Sequence, residues 1–302
     1  MANRTQLEVG GQKLEVSNLD KVFYPVAGFT KGNIIDYYIR VSSCLLPHLK
    51  DRPITLKRYP DGVKGFFFYE KQCPSRPDWM KTTAVAKANG SQIHYCVINN
   101  LPSLVWAANL ADLELHTFLH RAPAITRPTA VAFDLDPGPP ADIVSCCEVA
   151  LHLKDLFDSL KLQSFAKTSG SKGLQIYIPL NTPATYEKTK AFAHSVAQAA
   201  EKQWPDLVLE KMRKELRRGK VFIDWSQNDD HKTTVCAYSL RAKERPTVST
   251  PVAWEEVALT ATNKHAKHLT FEASDVLKRI EKQGDLFAPV LGLKQRLPQF
   301  EG

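Results

Sequence analysis

The chain has 302 residues, of which 43% are hydrophobic and 24% charged, an ordinary balance for a globular protein with a substantial core. Its net charge of +8 favours phosphate-bearing partners, and no apolar run is long enough to span a bilayer, so we expect no membrane association. The N-terminus is polar and lacks a signal-peptide core. The six cysteines show neither zinc spacing nor a C-x-x-C pair, which predicts reduced thiols in a cytoplasmic protein.

The first long helix carries a cation at an unusual place. Thr30 predicts the N-cap of a helix from Lys31 to about Leu49. Lys31 lies in its first turn, where the helix dipole disfavours positive charge. Either this lysine is simply solvated, or Asn18, Lys21 and Lys31 converge on an anion at the positive end of the helix.

A basic strand and an aromatic run follow. Residues 54–59 predict a strand that contains Lys57 and Arg58, and residues 66–69 are four consecutive aromatics. Four such residues cannot all face one core from a strand, so at least one or two should be exposed, and exposed aromatics beside cations can stack on nucleic-acid bases. The alternative is a strand buried in a two-sided sheet.

The centre of the chain continues with regular elements. Residues 93–98 predict a strand, Asn100 caps a helix that runs to about residue 112, and residues 113–119 predict a strand. That strand carries His116. A single histidine in such a position is more often structural than catalytic.

Two aspartates end the next apolar strand. Asp134 and Asp136 follow residues 130–133 and precede a Pro-Gly-Pro-Pro turn. Alternate side chains of a strand point to one face, so the two carboxylates should project together and repel each other unless a cation neutralises them. Hard oxygen ligands favour Mg²⁺ or Mn²⁺. The alternative is a capping aspartate at a strand end.

A helix over 141–160 and a strand over 163–167 lead to the loop Thr168–Gly173. Its glycines allow close backbone approach, Ser169 offers a hydroxyl and Lys172 a charge, which together suit a phosphate. The spacing is not that of a Walker A loop, and a strand, 174–179, follows instead of a helix.

The last third contains a third carboxylate at a strand end. After a helix over 186–204 and a basic run over 211–220, typical of a solvated face, the strand 221–225 contains Asp224. Gln227 follows, and a predicted strand over 233–240 leads to Arg241. Helices are expected near 254–259 and 274–283. Carboxylates at two strand ends, a Gly/Ser/Lys loop and cations together suit metal-assisted nucleotidyl transfer.

Collinear motifs along nearly the whole chain resemble a known family. The family they resemble is the polymerase domain of bacterial ATP-dependent DNA ligase D, with its stand-alone relatives, within the archaeo-eukaryotic primase superfamily. The motifs are SNLDKVFYP, TKGNIIDYY, RPITLKRYPDGV, FYEKQCP, LPSLVWAANLADLELH, FDLDPGP, TSGSKGL, VFIDWSQND, KTTVCAYSLRA and VSTPVAWEEV.

The resemblance implies a role for each candidate residue. Two Mn²⁺ or Mg²⁺ ions would be held by the catalytic aspartates Asp134, Asp136 and Asp224. A nucleoside triphosphate would be bound by Lys57, His116, Ser169, Lys172, Gln175, Gln227 and Arg241. The 5′-phosphate of a DNA gap would be read by Asn18, Lys21 and Lys31, and the templating base would stack near Phe68 and Tyr69.

One residue departs from the family pattern. The family carries histidine after the glycine-rich loop, where this chain has Gln175. A neutral amide forms weaker hydrogen bonds than a charged imidazole, so we expect weaker triphosphate binding with the metal chemistry intact.

The resemblance implies an α/β (α+β) fold of two interlocked lobes: one primase-polymerase domain over 1–302. About 1–120 would form an N-terminal α/β module with DNA-end contacts, and 121–302 a catalytic module with a mainly antiparallel sheet. The expected function is template-directed addition of nucleotides, with ribonucleotides preferred, to a 3′-hydroxyl at gaps and broken ends in non-homologous end joining. Ku and a DNA ligase would be partners, near the nucleoid. The alternatives are a de novo primase and a non-catalytic DNA-end-binding or synapsis module.

Overall fold

The computed structural model describes residues 4–86 and 90–298; the predicted range 1–302 therefore includes residues 1–3, 87–89 and 299–302, which lie outside the described residues. In the described ranges the α-helices are α1 Lys31–Leu49, α2 Leu101–Asn109, α3 Ile143–Ser159, α4 Tyr186–Gln203, α5 Trp254–Asn263 and α6 Ala273–Gln283. Short 3₁₀ turns cover Lys214–Leu216, Trp225–Gln227, Ala266–Leu269 and Ala288–Leu291.

The strands occur in groups between these helices. They are β1 Arg4–Val9, β2 Gln12–Ser17, β3 Val22–Tyr24, β4 Phe29–Thr30, β5 Pro53–Arg58, β6 Phe68–Glu70, β7 Thr82–Ala86, β8 Gln92–Val97, β9 Asp112–Thr117, β10 Ala130–Pro137, β11 Phe165–Thr168, β12 Leu174–Pro179, β13 Val208–Leu209, β14 Val221–Asp224, β15 Thr234–Val235 and β16 Pro251–Val252. The predicted mixed α/β class is confirmed.

The chain divides into two units. Unit 1 contains Met1–Pro123, Thr233–Ser249 and Phe271–Gly284. Unit 2 contains Ala124–Lys232, Thr250–Thr270 and Asp285–Gly302. Each unit is therefore built from three separate segments of the chain.

Unit 1 is a sheet with helices. Its strands lie in the order β15-β9-β5-β8-β7, with β6 also paired to β5. Helix α1 begins at the predicted cap: the Thr30 hydroxyl accepts the Asn33 backbone N–H at 3.2 Å, and the Asn33 side chain accepts the Thr30 N–H at 2.9 Å. This reciprocal pairing satisfies two donors that a helix start leaves open. Its apolar stripe, including Ile34, Tyr38 and Leu45, is fully buried.

Unit 2 contains the sheet that carries the aspartates. Its order is β13-β14-β10-β12-β11-β16, and every pairing is antiparallel except the parallel β13–β14 pair. Residues 130–133 of β10 are all buried, as their apolar side chains predict. β10 is therefore an interior strand, hydrogen-bonded on both edges.

The predicted strand over 233–240 is wrong beyond its start. Only Thr234–Val235 pairs with β9. Tyr238 adopts a left-handed φ of 66°, which a strand cannot accommodate, and its carbonyl accepts the Tyr37 hydroxyl at 2.8 Å. The segment instead turns to present its backbone to helix α1.

The prediction of six reduced thiols is also wrong. Cys73 and Cys96 form a disulfide, with their Cα atoms 4.9 Å apart, whereas Cys44, Cys146, Cys147 and Cys236 are free. Sequence spacing rules do not predict this pair, because Cys73 in the loop after β6 and Cys96 in strand β8 are brought together only by the fold. Among the described helices, none is both long and apolar enough to cross a membrane.

Candidate active site

The three predicted carboxylates lie side by side on unit 2. β10 and β14 are antiparallel, and Asp134 stands directly opposite Asp224 in their register. Asp136 lies two residues further along β10 and therefore shares the face of Asp134. The structure thus brings together the D-x-D pair and the strand-end aspartate as the sequence predicts.

Asp134 is the most perturbed member of this group. Burial, together with the charges of Asp136 and Asp224, raises the pKa of Asp134 to about 7, although a hydrogen bond from Gln175 and the charge of Lys167 oppose the rise. Within the described part of the chain, its buried Oδ1 atom has no hydrogen-bond partner. A buried carboxylate oxygen without a hydrogen-bond partner, beside two other carboxylates, is suited to bind a cation.

Asp224 is held by the turn that follows it. Its Oδ1 accepts the Ser226 backbone N–H at 3.0 Å and the Ser226 hydroxyl, and its Oδ2 accepts Gln227 Nε2 at 2.9 Å. Gln227, predicted to contact nucleotide, therefore orients a carboxylate in this structure. These bonds fix the rotamer of Asp224. Both partner residues belong to the 3₁₀ turn that follows β14.

Asn228 locks this turn onto β10. Its Oδ1 accepts the Ala132 backbone N–H at 2.9 Å, and its Nδ2 donates to the Ala132 carbonyl at 2.7 Å. The side chain is fully buried. These two hydrogen bonds take the place of strand pairing at Ala132, because β14 ends opposite Asp134.

Gln175 lies inside the carboxylate network. It stands opposite Asp134 on one edge of β12 and opposite Lys167 on the other. Its Oε1 accepts Lys167 Nζ at 2.6 Å, and its amide group reaches Asp134. Lys167 is 1% exposed, so a buried ammonium, an amide and a buried carboxylate form a chain across three strands.

We expect Gln175→Leu to lower the stability of the fold around Asp134 in addition to any effect on nucleotide affinity. The variant removes the acceptor of a buried ammonium and a donor to Asp134, which should lower the free energy of unfolding by about 1–3 kcal/mol. Urea titration measures this, with Gln163→Leu, at an exposed position of the same unit, as the matched control. Gln175→His tests the family residue. An unchanged nucleotide KM in both Gln175 variants would mean that this side chain does not influence triphosphate binding.

The glycine-rich loop is folded by its own serine. Ser169 Oγ accepts the backbone N–H groups of Ser171 at 3.2 Å and Gly173 at 3.1 Å, and the Ser169 N–H donates to the Gly173 carbonyl at 2.9 Å. Gly173 must be glycine, because a Cβ there would lie 2.1 Å from the Leu135 carbonyl oxygen of β10. The loop is consequently pressed against the strand that carries Asp134 and Asp136.

Lys172 projects from this loop at an exposed position. It borders a cavity of about 330 Å³ whose lining includes Pro137, Pro139, Asp142 and Thr270. The lysine is therefore accessible beside the turn that follows Asp136.

Arg217 is the exception in the basic run 211–220. The run is mostly exposed, as predicted, but the Arg217 guanidinium packs 3.9 Å from the centre of the Phe222 ring, and its Nη1 lies 3.9 Å from Asp136 Oδ2. Its backbone is also fixed, since a Cβ at Gly138 would lie 1.9 Å from the Arg217 carbonyl oxygen. Charge counting along the sequence does not distinguish it from its neighbours.

A buried carboxylate organises the cations of unit 1. Glu114 accepts Lys57 Nζ at 3.2 Å and the Tyr59 hydroxyl at 3.2 Å, and lies 3.0 Å from His116 Nε2 and 3.2 Å from Arg241 Nε. Glu114 is 1% exposed. Burial by itself would raise its pKa, but the hydrogen bond with His116 and the charges of Arg241, His116 and Lys57 hold the pKa far below its usual range.

Glu114 is the central residue of this cluster, and sequence reasoning missed it. The motif ELH contains both Glu114 and His116, but a role was predicted only for His116. Burial lowers the pKa of His116, although Glu114 opposes this shift. The available signal was an acidic residue alternating with apolar ones in a strand that is otherwise buried. Three of the predicted nucleotide-binding residues, Lys57, His116 and Arg241, meet around it.

The aromatic run lies next to this cluster. Phe66, Phe67 and Tyr69 are 72%, 45% and 58% exposed, which confirms that not all four aromatics are buried. Lys57 Nζ lies 4.9 Å from the centre of the Phe67 ring and 5.5 Å from that of Tyr69. Phe68 is half-buried, with the Arg58 guanidinium 5.2 Å away from its ring centre.

The third predicted group surrounds the start of α1. Asn18 has a φ of 55°, and its carbonyl accepts the Lys21 N–H at 3.0 Å, while the Lys21 carbonyl accepts the Lys31 N–H at 2.9 Å. Lys31 is 5% exposed. Burial, together with the charge of Lys21, lowers the pKa of Lys31 to about 8. Asn18, Lys21 and Lys31 are therefore neighbours, as predicted.

The donor set on β10 and β14 fits a divalent cation. Asp134, Asp136 and Asp224 offer hard oxygen atoms, and the unpaired Oδ1 of Asp134 supplies a buried ligand. Asp229, Asp230 and His231 also bring ligand atoms within 4.8 Å of one another, but Lys190 Nζ already contacts Asp229 at 2.7 Å. The strand carboxylates are the stronger candidates.

Comparison with known proteins identifies the family. A family model described as LigD, primase-polymerase domain, matches residues 30–287. The multifunctional non-homologous end joining protein LigD of Mycolicibacterium smegmatis is 40% identical over 286 residues, covering 92% of this chain and 36% of the relative. The bifunctional non-homologous end joining protein LigD of Bacillus subtilis is 35% identical, covering 90% and 43%.

A solved structure agrees. The polymerase domain of Mycobacterium tuberculosis ligase D, in complex with DNA, superimposes with a TM-score of 0.86 at 38% identity, covering 94% of this chain and all of that one. The fold and the match define a primase-polymerase domain, a nucleotidyltransferase class. The chain belongs to the LigD primase-polymerase family, and it spans less than half the length of these curated relatives.

Proposed function

We propose that this chain adds nucleotides to a DNA 3′-hydroxyl at gaps and broken ends, directed by the template strand, in non-homologous end joining. The observation that carries the proposal is the group of three carboxylates on one face of β10 and β14, with one buried oxygen left unpaired. Relatives named for end joining and a DNA-bound polymerase domain support it.

Asp134, Asp136 and Asp224 are proposed to hold two Mg²⁺ or Mn²⁺ ions. Bound divalent cations would lower the pKa of the attacking hydroxyl and neutralise charge on the phosphates. The protein's own contribution is positional: Ser226 and Gln227 fix Asp224, and Gln175 with Lys167 fixes Asp134. A preformed set of ligands needs little rearrangement when the ions bind.

Nucleotide binding is proposed for two groups of residues. Ser169 shapes the loop, and its neighbour Lys172 extends into solvent as a cation for the phosphates. Lys57, His116 and Arg241, held by Glu114, and Gln175 and Gln227 complete the proposed nucleotide-binding residues. The resemblance supports a preference for ribonucleotides and manganese.

DNA contacts are proposed for the remaining residues. Asn18, Lys21 and Lys31 would bind a 5′-phosphate at the positive end of α1. Phe68 and Tyr69 would stack near the templating base, since aromatic side chains beside cations suit base stacking. Ku and a DNA ligase are proposed partners, and a nucleoid-associated cytoplasmic location is proposed with them.

Extension of a gapped duplex tests the function. We expect nucleotide addition that requires Mn²⁺ or Mg²⁺, stops with chelator, and follows the template base. A 5′-phosphate should tighten gap binding about tenfold, and Lys21→Ala should remove that gain, because a charged contact with phosphate contributes ~1.5–3 kcal/mol. Lys13→Ala, an exposed lysine of β2, is the control. Template-independent addition, or none with any nucleotide, would contradict the proposal.

A further inference from the structure

The ammonium of Lys21 already has an anion in this structure. Lys21 Nζ donates to Asp61 Oδ1 at 2.9 Å and to the Pro60 carbonyl at 2.7 Å. The side chains of Lys21 and Asp61 are 40% and 70% exposed, so the pair is open to solvent and to any incoming anion.

The turn that carries Asp61 is fixed. The Gly62 N–H donates to the Tyr59 carbonyl at 3.0 Å, and the Val63 N–H donates to the Phe23 carbonyl at 2.9 Å. Gly62 has a φ of 79°, and a Cβ there would lie 2.8 Å from the Phe23 carbonyl oxygen. Asp61 is therefore presented to Lys21 by a rigid turn that begins directly after strand β5 and Tyr59.

Lys31 is in the opposite situation. No carboxylate of the described residues lies within 4.0 Å of its ammonium, although the side chain is almost fully buried. Its backbone N–H is bonded to Lys21, so the two cations belong to one local structure. One cation is thus paired with a removable partner while its neighbour lacks an anion.

We propose that Asp61 is an exchangeable counter-ion that a DNA 5′-phosphate displaces from Lys21. This rests on the proposed function of Asn18, Lys21 and Lys31. A terminal phosphate carries more charge and more acceptor oxygens than a carboxylate, and it can engage Lys21 and Lys31 together.

The chain offers a matched control for this idea. Asp20 is an exposed carboxylate adjacent to Lys21 in sequence, and no ion pair with it occurs in the described residues. Asp61→Asn and Asp20→Asn each remove one negative charge near the same lysine. Only Asp61→Asn removes a negative charge that is in direct contact with the ammonium. Both sites are exposed, so both variants should fold, which circular dichroism checks.

The measurement is fluorescence anisotropy of a gapped duplex with and without the 5′-phosphate. Because an exposed ion pair is weak, we expect Asp61→Asn to tighten binding of the phosphorylated gap about two- to fivefold beyond Asp20→Asn, with no such difference for the unphosphorylated gap. Inorganic phosphate should also compete with the phosphorylated gap at lower concentration in Asp61→Asn.

The outcomes separate the two proposals. A wild-type protein that binds both gaps equally would refute the 5′-phosphate site itself. If wild type prefers the phosphate and the two variants behave alike, the site stands and the role of Asp61 is refuted. Weaker phosphate binding by Asp61→Asn would also refute it, since Asp61 would then position Lys21 rather than compete for it.

Discussion

Asp134→Asn should abolish nucleotide addition while making the metal-free protein more stable. Loss of a proposed metal ligand should remove several kcal/mol of transition-state stabilisation, so extension should fall by at least about 10³-fold. Asp136→Asn and Asp224→Asn should be similarly inactive, with gap binding retained. Asp206→Asn, an exposed carboxylate of the same unit, should retain full activity.

The gain in stability follows from the raised pKa of Asp134. Folded Asp134 keeps its proton up to about pH 7, whereas the unfolded side chain loses it near 3.8. The folded state therefore binds more protons in this window, and stability falls as pH rises through it. At pH 8, without metal, the free energy of unfolding of Asp134→Asn should exceed that of the wild type by at least ~1 kcal/mol. This difference corresponds to a rise in Tm of roughly 2–4 °C.

Thermal unfolding at pH 5 and pH 8, with chelator and with Mn²⁺, measures both halves of this prediction. The wild type should be stabilised by Mn²⁺ and the variant much less. A variant that is less stable than wild type at pH 8 without metal would show that Asp134 has found another partner.

Glu114→Gln should be among the most destabilising single changes in unit 1. Removing one partner of a buried ion pair leaves uncompensated charge, here on Lys57 and Arg241, and typically costs about 3–5 kcal/mol. Nucleotide KM should rise because His116 and Arg241 would then face an amide N–H instead of an acceptor. Urea unfolding and steady-state extension measure the two effects.

The neighbouring Asp112 provides the control. Burial raises the pKa of Asp112 well above its ordinary value, and its Oδ1 accepts the Lys57 backbone N–H at 2.7 Å. Asp112→Asn preserves that acceptor and should cost less than about 1 kcal/mol. Equal destabilisation by the two variants would rule out the charge of Glu114 as the cause.

The pH dependence has the opposite sign from that of Asp134. Because the pKa of Glu114 is lowered in the folded protein, its contribution is complete above the unfolded value of 4.5 and disappears as pH falls below it. The difference between wild type and Glu114→Gln should therefore shrink from pH 7 towards pH 3.

Local patterns in the sequence were sufficient for much of the fold and for the shared face of Asp134 and Asp136 on β10. The helix cap at Thr30 and the alternation around Asp134 depend on neighbouring residues, which a sequence displays directly. The register that sets Asp224 opposite Asp134 depends on the pairing of distant strands, and only the motif resemblance indicated it.

Features that arise from distant contacts were not predictable in the same way. Glu114 acquires its low pKa from Lys57, His116 and Arg241, which lie on β5, on β9 and after β15. The Cys73–Cys96 bond joins a loop to a strand without a spacing rule. The Lys21–Asp61 pair likewise connects two turns whose charges look solvated in the sequence.

The pairing of β10 with β14 also sets when the candidate metal site can exist. Asp134 and Asp224 are direct neighbours in the sheet but are separated by α3, β11, β12, α4 and β13 along the chain. Contacts between such distant segments form late, because a long loop must close before they are made. A nascent chain that ends before residue 221 carries only two of the three carboxylates, so the complete set of ligands appears only once the ribosome has released most of unit 2.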